Sequence, residues 1–272
     1  MTRLQLITTS KHSEHLVNSE LKDFIADGMA KFGDTEIVDT SPDVVHIFGM
    51  WTAKSARAAN DLQSRGIPVV FTAINGMAQL FDNNGEIVSN IALRNAVRQI
   101  ARHTILHCGG IAEEKIVTKI ARRASTTIIT NALTTSTTDT NRMLQDFHDL
   151  YAELYKRQEQ TASGTIQAEL SRNVKTDDCA IRDICSRLLY LKYLYKKNGI
   201  RKEVLDEVST LMIASNYDEA VMRNTLEALH LRRFAASCMA LLEKESTLTE
   251  GFMPIDATED KTLRRMQEMI IQ

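Results

Sequence analysis

The feature that most constrains this chain is a pair of apolar, β-branched runs joined by a helix-forming segment. Residues 42–76 read PDVVHIFGMWTAKSARAANDLQSRGIPVVFTAING. Val44, Val45, Ile47 and Phe48 form a run with no polar alternation beyond His46, which is the pattern of a strand buried on both faces, as in a parallel sheet. Gly49 ends the run, and Thr52 offers an N-cap to the Ala-, Arg- and Lys-rich segment that follows. Gly66 stands where a helix C-terminal glycine belongs. Pro68 opens the second apolar run but cannot continue a helix. Strand, helix and strand within about thirty residues make a βαβ unit with parallel strands. Ligands of such sheets bind beyond the carboxyl ends of the strands, here at Gly49–Met50–Trp51 and Asn75–Gly76.

The flanking sequence extends this pattern. Residues 4–8 and 35–39 read as strands, with an amphipathic helix between them that carries Val17, Leu21, Phe24 and Ile25 and ends near Gly28. Residues 82–85, Asp-Asn-Asn-Gly, are a turn. Residues 91–102 form a helix with Arg94, Arg98 and Arg102 on one face. Residues 104–108 are a strand closed by Gly109–Gly110, residues 113–123 a helix, and residues 126–130 a strand ending at Asn131. Strands alternating with helices predict an α/β fold, a Rossmann-like doubly wound parallel sheet. After the Thr-rich run at 134–140, Asp139 caps a long helix carrying Met143, Phe147, Leu150 and Leu154. The helical signal weakens at 162–164, so a first domain is expected over 1–160 and an all-α domain over 165–272. No strand is expected in that second domain. Its stripes, such as Ile181, Ile184, Leu188, Leu191 and Tyr195, predict a helical bundle or a small helical-repeat domain.

Composition narrows the function class. The 272 residues carry 33 basic and 35 acidic side chains, a formal net charge of -2, so nothing draws the chain as a whole to nucleic acid. Its 4 cysteines show no CxxC and no zinc-like spacing, which suits reduced thiols and a cytoplasmic location. No transmembrane segment is expected, since no stretch approaches the roughly twenty apolar residues a spanning helix needs.

The run DVVHIFGMW…RAANDLQSRGIPVVFTAING resembles the N-terminal, acceptor-side domain of GT-B-fold glycosyltransferases of the family 4 type. ARHTILHCGGIAEEKIV and TTIITNAL, whose strand ends in Asn131, stand where that family has its later strands and acidic helix, so the resemblance covers about the first half of the chain in family order. It implies a glycosyltransferase-like protein of glycan or polysaccharide biosynthesis, with a nucleotide sugar or a glycan acceptor as partner and no further cofactor. The chain also departs from the family. Thr9–Ser10–Lys11–His12 replaces the glycine-rich turn, and Asn75 stands where a histidine approaches the sugar donor. Residues 165–272 are too few and too helical to form the second, donor-binding lobe with its Glu-x7-Glu signature. The alternative is therefore a non-catalytic scaffold or interaction protein, whose helical domain binds a protein partner or forms a homodimer.

The candidate ligand-binding residues are Gly49, Trp51, Asn75, Gly76, His107, Gly109, Gly110 and Asn131. Each also has a plainer reading. Trp51, the only tryptophan, can stack on a sugar ring, but covering the edge of the core is the commoner role. His46 lies inside an apolar strand and reads as a satisfied core histidine. His107 and Cys108 are adjacent on a strand, so they point to opposite faces and do not make a nucleophilic dyad. Gly109–Gly110 before a helix can cradle an anion, but a tight turn is the simpler account. The arginine stripe reads as a solvated helix face. No catalytic residue and no metal site is assigned.

Overall fold

A computed structural model describes residues 1–9, 18–73, 78–81, 86–87, 89–130, 137–246, 248 and 250–271. Asn75, Gly76, Asn131 and the 82–85 turn lie outside the described residues. The chain divides into two compact units, Met1–Gln158 and Glu159–Gln272.

The first unit alternates strands and helices: β1 (Thr2–Thr8), α1 (Asn18–Met29), β2 (Thr35–Ile37), β3 (Val44–Gly49), α2 (Ala53–Ser64), β4 (Val69–Ala73), α3 (Ile91–His103), β5 (Ile105–Cys108), α4 (Ile111–Ile120) and β6 (Ser125–Ile128). The strands form one six-stranded sheet in the order β2-β1-β3-β4-β5-β6, and every pair is parallel. The chain thus steps outward one way from β1 to β2, returns past β1 to β3, and then steps the other way to β6. The direction reverses between β1 and β3, the topological switch point of the sheet.

The alternation of strand side chains sorts the core into two layers. Val45, Ile47, Val69, Phe71 and Leu106 pack against Ala59 and Leu62 of α2, Val97 and Ile100 of α3, and Val117 of α4. Leu4, Leu6, Val44, Phe48 and Val70 pack on the other face against Leu21, Ile25 and Met29 of α1. The same face also takes Met143, Phe147 and Tyr151 of α5 (Thr137–Asn173). Every residue of β3 is buried, as a central strand covered on both faces must be. The fold class is therefore the Rossmann-like doubly wound α/β sheet, followed by a helical C-terminal region.

The ends of α2 form as the sequence predicts. Thr52 has extended backbone, and its hydroxyl accepts from the Ser55 N–H. Gly66 closes the helix at φ +76°, where a side chain would be strained, and its N–H donates to the Gln63 carbonyl. The helix predicted to weaken at 162–164 instead runs unbroken to Asn173, and the division between the units falls within it. Ala162, Ile166 and Leu170 continue a buried stripe through that stretch, and packing of this kind outweighs the roughly 1 kcal/mol a helical glycine costs.

The second unit contains α6 (Cys179–Lys196), α7 (Lys202–Ala214), α8 (Glu219–Ala228), α9 (Arg232–Glu245) and α10 (Lys261–Glu268) around one apolar core that includes Ile184, Leu188, Val208, Leu226 and Leu241. It also holds a two-stranded parallel pair, β7 (Ile200–Arg201) with β8 (Ile270–Ile271), which corrects the expectation of a strand-free second half. Strands of two residues, paired across about seventy residues of sequence, leave no local periodicity to read. Among the described residues no helix is long and apolar enough to cross a membrane.

Candidate functional site

The carboxyl ends of β1, β3, β4, β5 and β6 bring together most of the described residues singled out in the sequence. Thr72 of β4 and His107 of β5 are register partners, His46 of β3 stands opposite Val70 two residues before Thr72, and all three are buried. They form one hydrogen-bonded chain. His46 Nδ1 lies 2.6 Å from the Tyr151 hydroxyl of α5, and His46 Nε2 lies 2.6 Å from Thr72 Oγ1. Thr72 Oγ1 lies 2.8 Å from His107 Nδ1, and His107 Nε2 lies 2.8 Å from the Ile129 carbonyl.

One end of this chain sets every proton in it. A carbonyl only accepts, so His107 Nε2 carries its hydrogen and Nδ1 is the bare acceptor. Thr72 then donates to His107, which leaves its oxygen to accept from His46 Nε2–H. His46 Nδ1 is consequently the acceptor of the Tyr151 O–H. The ionisation states agree with this pattern. Burial pushes His46 well below the usual imidazole range, with the neighbouring His107 adding to the effect. Burial likewise lowers His107, although the Ile129 carbonyl and Glu113 oppose it. Burial raises the Tyr151 phenol far above its ordinary value and keeps it a donor. Phe147 lies against both imidazoles, with ring centroids 5.5 Å from His46 and 4.9 Å from His107. The arrangement ties four elements of the first unit together and holds both histidines neutral.

Other predicted residues have equally specific surroundings. Trp51 is buried, its ring centroid 5.0 Å from that of Phe71, and its backbone N–H donates to Gln79 Oε1. Its indole Nε1–H is buried with no hydrogen-bond partner among the described residues. Gly49 is a packing position: a Cβ there would meet Thr9 Oγ1 at 2.3 Å, Ser55 Oγ at 3.0 Å and Phe71 Cε2 at 3.2 Å. Thr9 and Ser55 are hydrogen-bonded at 2.7 Å directly over it. A threonine–serine pair thus stands beside the switch point between β1 and β3.

Gly109 and Gly110 lead into α4, and the Glu113 carboxylate accepts the Gly109 N–H at 2.5 Å. The chain's own carboxylate thus takes one of the N–H groups an anion would use there. Cys108 is buried beneath this turn, and burial, with Glu113 and Glu114 nearby, pushes its thiol up to about 12. It is a structural thiol at neutral pH. Among the described residues no three His, Cys, Asp or Glu side chains are grouped to hold a metal ion.

Sequence reasoning placed His46 in the core but missed Thr72 and Tyr151. Tyr151 lies 105 residues from His46, and a threonine in a β-branched run carries no separate signal. The chain matches no protein-family model and no curated protein.

Proposed function

We propose that the chain is a glycosyltransferase-like protein of glycan or polysaccharide biosynthesis, whose first unit binds a sugar-bearing ligand at the carboxyl edge of the sheet. The observation that carries this reading is the Trp51 indole N–H, a buried donor with no described partner at the end of the central strand. An unmet buried donor costs about 1–3 kcal/mol, and a ligand oxygen placed there would remove that penalty. The unit's role is binding rather than proton transfer. His46 and His107 are locked neutral in the Tyr151–Ile129 chain, Cys108 is a high-pKa thiol, and Glu113 caps Gly109.

A second reading, a non-catalytic scaffold, is favoured by one specific feature. The Thr9–Ser55 pair packs over Gly49 near the point where doubly wound sheets usually hold their ligand. Thermal unfolding with UDP- and GDP-sugars, free nucleotides and glycan acceptors separates the two. A ligand at about one hundred times its Kd stabilises the native state by about 2.7 kcal/mol. On the binding reading, one ligand class raises the transition of the wild type and loses much of that effect with Trp51→Phe, which keeps an aromatic side chain but removes the indole donor. A flat response to every ligand, with concentration-dependent dimerisation, establishes the scaffold instead.

A further inference from the structure

We propose that the cleft between α3 and the C-terminal end of α4 is a binding site for a multiply charged, phosphate-bearing anion. The cleft has a volume of about 510 Å³ and is lined by Arg94, Arg98, Arg102, Lys119, Arg122 and Arg123 over a floor of Ala101, Ile120, Ala121 and Ala124. Among the described residues no acidic side chain lines it. In a chain with 33 basic and 35 acidic residues, six cations around one concavity are a local segregation of charge and not a consequence of composition.

The usual explanation for cations at helix C-termini is the macrodipole, which places about half a negative charge at each end. Arg102 and Lys119 stand in the last turns of α3 and α4, with Arg122 and Arg123 just beyond α4, but Arg94 lies in the first turn of α3 and Arg98 at its middle, so the two helix ends do not account for all six cations. Arg98 also serves the fold, since its Nε donates to the Ile120 carbonyl at 3.1 Å and ties α3 to the end of α4. The side chains of Arg94, Arg102, Lys119, Arg122 and Arg123 have no hydrogen-bond or ion-pair partner among the described residues. Like charges held around a shared hollow repel one another, and an anion bound there relieves that repulsion.

The chemistry of the lining selects the class of anion. Five of the six cations are arginines, whose planar guanidinium groups bind phosphate oxygens in pairs. No aromatic ring among the described residues lines the cleft, so it offers no stacking surface for a nucleobase. The ligand is recognised through phosphates spaced closely enough to meet both walls, α3 on one side and the end of α4 with residues 121–124 on the other. The sequence displayed only half of this, the stripe of Arg94, Arg98 and Arg102, and a single stripe is an ordinary solvated face. The fold sets the second set of cations opposite it.

The test uses the full chain and inorganic tripolyphosphate as the probe, by calorimetry and thermal unfolding at low ionic strength. Sodium sulfate at matched ionic strength is the control for screening. The expected result is saturable binding with a raised unfolding transition, weakened by added salt. Arg102→Gln with Arg122→Gln, one from each wall, should weaken binding by about tenfold or more, since each removes a charge-assisted contact. Lys202→Gln in the second unit should leave binding unchanged. If the double variant fails to fold, the exposed singles Lys119→Gln and Arg123→Gln replace it, each expected to weaken binding about threefold. Absence of saturable binding, an equal response to sulfate, or variants that bind as the wild type does would each overturn the proposal. A vesicle arm separates a soluble phosphate ligand from a lipid headgroup. Capture by phosphatidylglycerol vesicles without tripolyphosphate binding overturns the cleft as a small-anion site and makes this face a membrane contact.

Discussion

Replacing Thr72 with valine tests the hydrogen-bonded chain that crosses the first unit. Valine nearly reproduces the shape of threonine but has neither a donor nor an acceptor. His107 Nδ1 loses the hydroxyl 2.8 Å away, and His46 Nε2 loses the one 2.6 Å away. His107 cannot escape by changing tautomer, because its Nε2–H is committed to the Ile129 carbonyl. His46 can shift its hydrogen to Nδ1 and donate to the Tyr151 oxygen, but Nε2 then faces the valine methyl as an unmet acceptor. Two buried nitrogens are therefore left unsatisfied under either tautomer, at about 1–3 kcal/mol each, or about 4 kcal/mol together. For a unit of this size the unfolding transition should fall by about 8–16 °C. Trp51 is the only tryptophan in the chain and is buried in the first unit, so its fluorescence reports the unfolding of that unit alone. Thr72→Ser retains the hydroxyl, loses a methyl group, and should cost about 1 kcal/mol. A Thr72→Val transition within about 1 °C of the wild type would refute the reasoning. So would a serine variant as unstable as the valine one, because the cost would then lie in packing.

Stability of the first unit should fall on mild acidification. The folded-state pKa values of His46 and His107 lie below their unfolded value, so above about pH 6.5 both states are neutral there and nothing is lost. Below it the unfolded chain takes up protons that the native one refuses. Stability then drops by about 1.4 kcal/mol per pH unit for each histidine until the native pKa is passed, and a Trp51-detected transition that stays flat from about pH 7 to 5.5 contradicts this. Gly49→Ala drives a methyl to 2.3 Å from Thr9 Oγ1 and should destabilise by about 2–4 kcal/mol through overpacking and loss of the Thr9–Ser55 bond. Thr9→Ala in that background should recover part of the loss, and strictly additive effects in a double-mutant cycle would show the clash is not there. Native-state titration with a thiol reagent near pH 8 should modify Cys179, which is exposed, and spare Cys108, Cys185 and Cys238, which are buried. Burial raises the thiols of Cys108 and Cys185 to about 12 and that of Cys238 higher still, so rapid release of four equivalents without denaturant would disprove the packing around them.

What could be read from the sequence, and what could not, follows from the range of the interactions concerned. The βαβ stretch was legible because each of its signals is local: the all-apolar β3 run, the Thr52 cap, and the Gly66–Ile67–Pro68 exit from α2. The run of α5 through Ala162 and Gly164 was not, because Ile166 and Leu170 hold it by tertiary burial and not by propensity. The same distinction governs the site. His46 could be assigned to the core from its apolar neighbours alone, yet its neutral state depends on Tyr151, Thr72 and a carbonyl at the end of β6, brought together by the sheet order. His107 and Gly109, singled out as ligand contacts because they stand at a strand end, are hydrogen-bonded within the fold, to Thr72 and Glu113. Strand-end position alone thus does not make a binding residue in this fold, because the same ends must also satisfy their own polar groups. Trp51 differs from the others in this respect, since its indole donor is the one polar group among the described candidate residues left buried and unmet. A position whose internal partners are all accounted for has its residue type explained by the fold. A buried donor left over calls for an acceptor from outside the described residues, and that asymmetry makes Trp51→Phe more informative about function than any substitution at His107 or Gly49.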